Sequence, residues 1–526
     1  MSLAVKRLGL LICLCGFASS AAARGGKLTL IVTDRDTGAP IACRMHLKNA
    51  RGVAVKEKKV PFWGDHFVFG GEITLTLPVG EYRFEIERGP EYLDRTGHFT
   101  INDFAEDTHT MDLKRVVDMS KEGWWSGDLF VDRPEKDLPL LMDADDIHVV
   151  QLFSKPPAKG ATPAPAVKPA RPAKAGEPSA TGPWVSLPER RWYCRQGLAD
   201  SRAGNLILFC NLAGPLVAAA STDGEAADPT AKAPAVWELA AEVRRQPSAW
   251  IDAGRAFSWD LPLLVAEGKV DSVELASSHL GRSSVLADEA GGYPRDKRTY
   301  GSDSGIGRWG ETIYYHLLNC GLRLPPSAGS GSGRAPNPVG YNRVYVQLDG
   351  EFSVEKWWEG FRAGRVVVSN GPLLRPKVEG EAPGHVFEVA AGDEREFEIA
   401  LTLSTKDPVD YLELVQDGEV VHMVRLDEWA QQKGHLPLLN FKRSGWFLVR
   451  AVTAAVGTYR FASSAPYYVN VGDQPRVSRA SAQFFLDWLN QRAKTVLATD
   501  ASDAAKERFE SARKFWQAMV DRANAD

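Results

Sequence analysis

From residue 27 to about residue 113, apolar and polar residues alternate over short stretches separated by turn residues such as Gly and Pro. Successive side chains of a strand point to opposite faces, so this alternation predicts strands with one buried face. The predicted strands are Leu28–Val32, Ala42–Leu47, Ile73–Leu77 and Tyr82–Ile86. Short strands at even spacing are typical of a β-sandwich, which we place at residues 24–118.

The pattern changes between residues 123 and 372, where apolar runs alternate with stretches of helical periodicity. The apolar runs are Ile147–Phe153, Asn205–Cys210 and Val270–Ala276, and the helical stretches include Ala235–Arg245 and Glu311–Cys320. Continuous apolar runs between helices are typical of parallel strands in an α/β unit. We place this unit at residues 119–380, which makes the predicted fold class multidomain α/β plus β.

Alternating strands return beyond residue 383, and Asp417-Gly418 between two of them is a strong signal for a two-residue hairpin turn. The predicted strands are Phe397–Leu403, Tyr411–Gln416, Val420–Arg425, Phe447–Val452 and Tyr467–Val471. This pattern predicts a second β-sandwich at residues 381–474.

Bulky apolar residues recur at helical spacing in Ser478–Ala498 and Ser502–Ala525. They predict a helical hairpin at residues 475–526. Packing of this hairpin on the body is favoured, and a face for a membrane or a partner is the alternative.

The N-terminus has the three parts of a secretory signal peptide: the basic residues Lys6 and Arg7, the apolar run Leu8–Phe17, and small residues at Ser20–Ala23. The apolar run is too short to cross a bilayer. We therefore expect cleavage of residues 1–23, export to the periplasm or the extracellular space, and no membrane span in the mature chain. A retained N-terminal anchor is the alternative.

The charge of the chain is nearly balanced, with 63 basic and 67 acidic residues and a net charge of −4. The predicted folded segments show no basic stripe interleaved with aromatic residues, so we expect no nucleic-acid partner. Residues 155–183 are rich in Pro, Ala and Lys and cannot bury a core, which predicts a disordered insertion. A solvated spacer is the favoured interpretation of this insertion. The sequence leaves the oligomeric state open.

Four cysteines follow the predicted signal peptide, and export permits disulfide bonds among them. They are Cys43, Cys194, Cys210 and Cys320. Two of these flank a predicted hairpin of Arg191–Cys194 and Leu206–Cys210, in which they would face each other. A disulfide between Cys194 and Cys210 and separate buried thiols both fit, since sequence alone does not fix connectivity.

The stretch GWWSGDLFVDRP at residues 123–134 has the form of a strand that ends in a metal site. Positions 130 and 132 point to the same side, because side chains of a strand repeat every second residue. Two histidines there would form a metal-binding pair, whereas this chain has Phe130 and Asp132. A metal centre in this place has either changed its ligands or lost its metal.

Several sequence blocks resemble known families. The blocks DRDTGAPIACRMHL and LPVGEYRFEIERGPEY resemble the carboxypeptidase-regulatory, transthyretin-like module, which implies a packing or presenting role. Five blocks between residues 120 and 385 together resemble the PHP-type metallohydrolases, in particular the exported CehA/McbA-like branch. These are GWWSGDLFVDRPEKDLPLLMDADDIHVV, FSWDLPLLVAEGKVDSVELASSHLGR, YYHLLNCGLRLPPSAGSGSG, NPVGYNRVYV and EGFRAGRVVVSNGPLLRP. The resemblance implies a distorted PHP-like β/α barrel that binds two or three divalent metals and hydrolyses phosphoester or related bonds.

The same resemblance implies that several metal ligands are substituted. The opening His-x-His of the family falls on Phe130 and Asp132, a further histidine position falls near Trp250, and the late aspartate falls near Gly331. The residues that could still hold a metal are Asp128, Asp132, His148, Asp252 and His279. Carboxylates suit hard cations and mixed His–carboxylate sets suit Zn²⁺, so we expect either no metal or a single divalent cation, Zn, Mn or Mg.

Loss of the metal cluster is favoured over a rebuilt site, because hydrolysis by a cluster needs a metal-bound water and usually a second metal. We therefore interpret the protein as a catalytically impaired binding or scaffold module, with no catalytic residue assigned. The alternative is a metal-dependent hydrolase of phosphoester or related bonds with a reduced, substituted site. His148 and His279 each have a structural interpretation as hydrogen-bonded residues.

Aromatic and planar polar side chains concentrate in the blocks that carry the resemblance. The pocket candidates are Trp125, Arg133, Trp259, His279, Arg282, Arg308, Trp309, Asn337 and Tyr341. Aromatic faces combined with planar donors suit a small anionic or carbohydrate ligand. Core packing is the alternative, and it is slightly favoured for each tryptophan taken singly.

Overall fold

The structure is a computed structural model that describes residues 25–153, 183–214, 216 and 234–526. The predicted signal peptide and nearly all of the predicted insertion at residues 155–183 lie outside the described residues. Within the described part of the chain, 28 strands outnumber eight α-helices. The expectation of a β-rich, multi-sheet protein is confirmed.

The N-terminal part forms two sheets that face each other. Its strands are β1 (Gly25–Asp34), β2 (Cys43–Asn49), β3 (Phe62–Trp63), β4 (His66–Phe69), β5 (Glu72–Pro78), β6 (Gly80–Glu87), β7 (Arg95–Ile101) and β8 (Glu106–Leu113). One sheet has the order β5-β1-β8 and the other β3-β4-β2-β6-β7. The core between them is apolar and includes Leu28, Leu30, Met45, Leu47, Phe67, Leu75 and Ile86. This sandwich-like arrangement follows from the alternation in the sequence.

The central part combines parallel and antiparallel strands with helices. Its strands are β9 (Trp124–Val131), β10 (Val149–Leu152), β11 (Trp184–Leu187), β12 (Arg191–Cys194), β13 (Leu198–Asp200), β14 (Ile207–Cys210), β15 (Trp250–Ala253), β16 (Ser272–Ala276), β17 (Pro326–Ala328), β18 (Arg343–Gln347) and β19 (Val366–Ser369). Its helices are α1 (Leu138–Ala144), α2 (Val236–Val243), α3 (Leu261–Ala266), α4 (Gly305–Asn319) and α5 (Val354–Arg362).

The parallel strands fall into two groups. Strand β10 lies parallel between β9 and β12, and β16 lies parallel between β15 and β17. A parallel bridge from Val131 to Ser332 brings the chain after β17 against the end of β9. The predicted hairpin of Arg191–Cys194 and Leu206–Cys210 is wrong: β12 pairs with β10 and β11, while β14 pairs with β13 and β15.

Strand β9 is buried along its whole length, which explains its continuous run of apolar and small residues. Gly127 lies in its middle, and a Cβ there would collide with the ring of Trp357 on α5. Trp357 is fully buried, and its indole N–H donates to the carbonyl oxygen of Trp125 at 3.0 Å. The small residue at position 127 thus lets α5 pack directly on the strand that carries the predicted metal residues.

The C-terminal strands continue a sheet of the central part. They are β20 (Leu373–Val378), β21 (Val386–Val389), β22 (Arg395–Ser404), β23 (Val409–Gln416), β24 (Glu419–Val424), β25 (His435–Phe441), β26 (Gly445–Thr453), β27 (Phe461–Ser464) and β28 (Tyr467–Val471), with helix α6 (Leu426–Gln431) after β24. One sheet runs β11-β12-β10-β9-β18-β19-β27-β26-β23-β24, and a separate three-stranded sheet has the order β20-β22-β25. The two sheets enclose an apolar core that includes Leu374, Phe397, Ile399, Leu414, Phe447 and Tyr467.

The predicted two-residue turn is confirmed. Strands β23 and β24 pair up to Gln416 and Glu419, and the two residues between them, Asp417 and Gly418, both have positive φ. That geometry is the one that an Asp-Gly hairpin turn requires.

The chain ends in a helical pair, α7 (Arg479–Thr499) and α8 (Asp503–Asp521), as predicted. The hydroxyls of Ser478 and Ser502 cap the two N-termini. The pair packs on the central part, where Trp488 stacks on Tyr293 at 4.1 Å and the Trp516 indole donates to Pro262 at 2.9 Å. Among the described residues, none of the helices combines the length and apolar character that a membrane crossing needs.

The four cysteines that the structure describes are buried and free. Of the two possibilities that the sequence left open, the structure shows separate buried thiols at Cys194 and Cys210.

Candidate functional site

Asp128 lies in the middle of β9 with its carboxylate fully buried. One oxygen accepts hydrogen bonds from the backbone N–H groups of Phe130 at 3.1 Å and Ser330 at 2.9 Å. The other accepts from the N–H of Gly340 at 2.7 Å. Burial raises the pKa of Asp128 to about 6 in spite of these donors. The side chain therefore fixes the loop of residues 329–340 to the central strand.

Phe130 is buried at the place where the family resemblance expects a histidine. Its ring meets the ring of Phe153 edge-on at 5.3 Å, and the Arg334 guanidinium lies 5.6 Å from the ring centroid. A Cβ at Gly329 would come within 2.6 Å of the Phe130 Cβ. A residue larger than glycine at position 329 would therefore collide with Phe130.

Asp132 lies just beyond β9 and is partly exposed. Its carboxylate pairs with Arg334, with 2.8 Å between Oδ2 and Nε. Gly333, with φ +101°, approaches the Asp132 backbone so closely that a side chain there would collide with the Asp132 carbonyl. The turn at Gly333 therefore brings Arg334 over the end of the strand, where it pairs with Asp132 and covers Phe130.

A second group of acids lies on the adjacent strands β15 and β16. Asp252 and Glu274 are buried, and Asp252 Oδ2 accepts a hydrogen bond from the Ser272 hydroxyl. That hydroxyl in turn accepts from the Trp250 indole at 2.7 Å. The remaining Asp252 oxygen and both Glu274 oxygens are buried without a hydrogen-bond partner in the described residues.

The environment of these acids disfavours negative charge. Burial raises the pKa of Asp252 to about 6. Burial, reinforced by repulsion from Asp252 and Asp128, raises the pKa of Glu274 well above its ordinary value. The interior therefore needs a proton or a cation to neutralise Glu274 at neutral pH. Glu274 is not among the residues predicted from the sequence, although a carboxylate between the apolar residues of VELA is a usable signal.

The two predicted histidines are both buried. His279 meets Phe257 edge-on at 5.2 Å, its Nδ1 lacks a hydrogen-bond partner, and burial lowers its pKa to about 3. His148 lies before the start of β10, level with Ser126, whose hydroxyl is 2.9 Å from His148 Nδ1. Burial lowers the pKa of His148 to about 4. His148 therefore lies toward the beginning of the parallel strands, away from Asp132 at their end.

The predicted metal residues do not converge in this structure. In the part of the chain that the structure describes, groups of three His, Cys, Asp or Glu ligand atoms within 4.8 Å of one another occur at two places, both in the N-terminal sandwich. The set Asp128, Asp132, His148, Asp252 and His279 is not among them. The donors that the family resemblance leaves in place do not fit a multi-metal centre.

Several predicted pocket residues pack within the body. Trp125 contacts His148 and Phe352, and Trp309 stacks on Tyr293 at 6.1 Å. The indole of Trp259 donates to the Gly291 carbonyl at 2.7 Å. The surroundings of Trp125 and Trp309 are therefore those of core residues, which is one of the two alternatives that the sequence left open for the tryptophans. 

The predicted polar residues mostly connect one segment of the chain to another. The Arg133 guanidinium lies 5.0 Å from the ring centroid of Trp63 in the N-terminal sandwich. Arg308 pairs with Glu311 and with Glu413 of β23 at 3.4 and 3.5 Å. Asn337 donates to the Ser330 carbonyl at 3.0 Å.

Two pocket candidates, Arg282 and Tyr341, do lie together at a cavity of about 60 Å³. The cavity lies where the N-terminal sandwich, the central part and the C-terminal strands meet, and it is lined by charged side chains of both signs. The cations are Arg44, Arg282, Arg343, Lys406 and Arg460, and the acids are Glu85, Glu87, Asp94, Asp145 and Asp407. Most of these charges are paired, either across the junction, as Lys406 is with Asp94 at 2.5 Å, or within one part, as Arg460 is with Asp407 at 2.7 Å.

Comparison with known proteins gives no family. No family model and no curated protein matches the chain. Matches to solved structures include the TIE protein of Bacillus anthracis, at 20% identity over 22% of this chain and 20% of that chain, with a TM-score of 0.15. Fibronectin(III)-like modules of Clostridium thermocellum CbhA match at 18% identity over 18% of this chain and 97% of that chain, with a TM-score of 0.14. A streptococcal ancillary pilin matches at 21% identity over 21% and 38% of the two chains, with a TM-score of 0.13. Likenesses this weak assign neither the fold of the whole chain nor a function.

Proposed function

We propose that the central part is a PHP-like β/α barrel whose metal centre has degenerated, and that the protein is an exported scaffold or binding module. The sequence blocks of residues 120–385 support the barrel, as do the two groups of parallel strands and the bridge from Val131 to Ser332. A similar fold does not establish that a protein catalyses a reaction, so the proposed function is argued from the side chains of the site.

The proposal rests mainly on the hydrogen bonds that the Asp128 carboxylate accepts. Three backbone N–H groups occupy its two oxygens, and two of them, those of Ser330 and Gly340, belong to the loop that follows β17. Ligation of a metal by Asp128 would compete with these hydrogen bonds. The phenyl ring of Phe130 offers no lone pair, and Asp132 is paired with Arg334 above it. The residues at the end of β9 are thus used for packing and for internal pairing.

The junction cavity is too small to hold a carbohydrate. A volume of about 60 Å³ is far below the roughly 300–1,000 Å³ of ordinary ligand pockets. Ion pairs cross the junction: the buried Arg44 pairs with Asp145 of the central part as well as with Glu87 of its own sandwich, and Arg282 of the central part pairs with Glu87. We propose that this network fixes the N-terminal sandwich on the central part, and that a small anion is the ligand class that its cations could accept.

A direct assay tests the loss of hydrolysis. We expect the protein to hydrolyse phosphomonoester and phosphodiester model substrates no faster than buffer containing Mn²⁺ or Zn²⁺. We also expect Asp132→Ala to change neither turnover nor metal content, because the Asp132 carboxylate pairs with Arg334. Asp303→Ala, at an exposed acid, is the matched control. Turnover above the blank that Asp132→Ala abolishes and Asp303→Ala preserves would contradict the proposal.

One observation favours the second candidate, a hydrolase with a reduced metal site. Three buried carboxylate oxygens of Asp252 and Glu274 lack hydrogen-bond partners, and a cation would satisfy them. A proton on Glu274 would relieve the same repulsion. The two candidates therefore differ in what neutralises Glu274, which can be measured.

A further inference from the structure

The N-terminal sandwich holds a cluster of His46, Asp65 and His66 that the sequence analysis did not find. Strands β2 and β4 are antiparallel with Met45 opposite Phe67, so His46 and His66 follow as the next facing positions. Their rings lie 5.1 Å apart. Asp65 belongs to the two-residue turn that joins β3 to β4, where Gly64 has φ +55°. The turn delivers the Asp65 carboxylate to the two rings.

The three side chains present converging ligand atoms. Oδ1 of Asp65 is 2.9 Å from Nδ1 of His46 and 3.5 Å from Nδ1 of His66. One ligand atom of each residue lies within 4.8 Å of the others. Ligands about 2.1 Å from a tetrahedral Zn²⁺ stand about 3.4 Å apart, so small side-chain movements suffice to accommodate an ion.

Burial supplies an independent sign of a missing partner. His46 is 4% exposed and His66 is 2% exposed. His46 Nε2 and His66 Nδ1 are buried without a hydrogen-bond partner in the described residues. A buried polar atom is costly to leave without a partner, and His66 Nδ1, which points toward Asp65 Oδ1, is the atom that an ion at this place would satisfy.

The surroundings match those of metal-binding histidines. A histidine that binds a metal through one ring nitrogen usually directs the other toward a carboxylate. With Nδ1 of His46 on the ion, Nε2 would face Glu87, whose Oε2 lies 4.0 Å away and also pairs with Arg44. The side chain of Asp65 is 44% exposed, and His46 and Asp65 line a cleft of about 810 Å³. An ion held by three residues would thus keep an open position toward solvent.

From this geometry we propose that His46, Asp65 and His66 form a binding site for a divalent transition-metal ion, with Zn²⁺ as the best match. Two imidazoles and one carboxylate suit Zn²⁺ and neighbouring transition metals, whereas Ca²⁺ and Mg²⁺ prefer sets of oxygen ligands. Lys48, whose Nζ lies 4.0 Å from the second Asp65 oxygen, is a competing cation. The proposal is independent of the degenerate barrel, since all three residues lie in β2, β4 and the turn before β4.

The test is cation binding by the full chain after dialysis against a chelator, with Zn²⁺ followed by calorimetry and Co²⁺ by its visible absorption. We expect one ion per chain, a spectrum of tetrahedral Co²⁺ with nitrogen ligands, and a loss of affinity on the order of a hundredfold in Asp65→Asn. The exposed position of Asp65 makes that variant safe for folding, and His66→Asn should show the same loss. His98→Asn, at an exposed residue of the same cleft, is the matched control and should bind normally.

Asp252→Asn separates this site from the centre of the barrel. It should leave Zn²⁺ affinity unchanged. Absence of binding to the wild type, or unchanged binding to Asp65→Asn, would overturn the site. Loss of the ion in Asp252→Asn with binding intact in Asp65→Asn would overturn both this site and the degenerate centre.

Discussion

Replacing Arg450 with methionine is expected to lower the free energy of unfolding by about 3–5 kcal/mol, the cost of breaking a buried ion pair from one side. Arg450 on β26 is 2% exposed, and its guanidinium lies 2.5 Å from Glu311 of α4 and 2.6 Å from Glu413 of β23. Burial works against its charge, but attraction to Glu311 holds its pKa above the ordinary value. The variant would leave two buried carboxylates between α4 and the C-terminal strands, with only the longer contacts of the partly exposed Arg308 to balance them.

Chemical denaturation measures this effect. Arg425→Met is the matched control, because Arg425 is exposed and paired only at the surface, so its loss should cost less than about 1 kcal/mol. Adding Glu311→Gln and Glu413→Gln to Arg450→Met should recover much of the stability, since the uncompensated charges are then removed. A single Arg450→Met variant as stable as the wild type would show that the cluster does not join the two parts.

Replacing Asp252 with asparagine is expected to raise the free energy of unfolding at pH 8 by about 3 kcal/mol. Burial raises the pKa of Asp252 from 3.8 to about 6, and each pKa unit corresponds to about 1.4 kcal/mol. An acid with a raised pKa gives its full stability below the unfolded pKa and loses it as the pH rises through the folded pKa. The loss therefore falls between about pH 4 and pH 6, and asparagine, which cannot ionise, avoids it.

The difference between variant and wild type should accordingly be small near pH 4, grow through pH 6 and stay constant above it. Asp303→Asn, at an exposed acid, should show no such change. The Ser272 hydroxyl can still donate to the side-chain oxygen of asparagine, so the local hydrogen bond is kept. An Asp252→Asn variant that is less stable than the wild type at pH 8, and that stays less stable when the pH is changed, would indicate that the Asp252 carboxylate binds a cation.

The sequence predicts well the elements whose signal is local. Alternation at Leu28–Val32 and Ile73–Leu77 reflects one buried face, and the structure confirms strands there. The turn at Asp417-Gly418 needs positive φ at both residues, which few other dipeptides tolerate. The helical pair follows from the spacing of its aromatic residues.

Features that depend on pairing between distant strands were missed. No local pattern shows that β19 pairs with β27 and so carries one sheet from the central part into the C-terminal strands. The same limit explains the wrong hairpin at Arg191–Cys194, because strands that are close in sequence pair here with other neighbours.

The candidate sites also separate into features with a local sequence signal and features that depend on residues distant in the sequence. The pattern around GWWSGDLFVDRP placed Asp128 and Asp132 near the end of a buried strand, yet it could not show that Arg334, two hundred residues later, pairs with Asp132. Glu274 lies in an apolar run with no motif around it. His46 and His66 become neighbours only through the pairing of β2 with β4, and twenty residues separate them in the chain.

We expect that a proton, and not a metal ion, neutralises Glu274 in the interior of the central part. Infrared difference spectroscopy of wild type against Glu274→Gln at pH 7.5 tests it most directly, because a protonated carboxyl has its own C=O stretching band. We expect this band to be present in the wild type, absent in Glu274→Gln, and unchanged when Zn²⁺ or Mn²⁺ is added. A wild type without the band, or a band that disappears as a cation binds, would show that Glu274 is not neutralised by a proton.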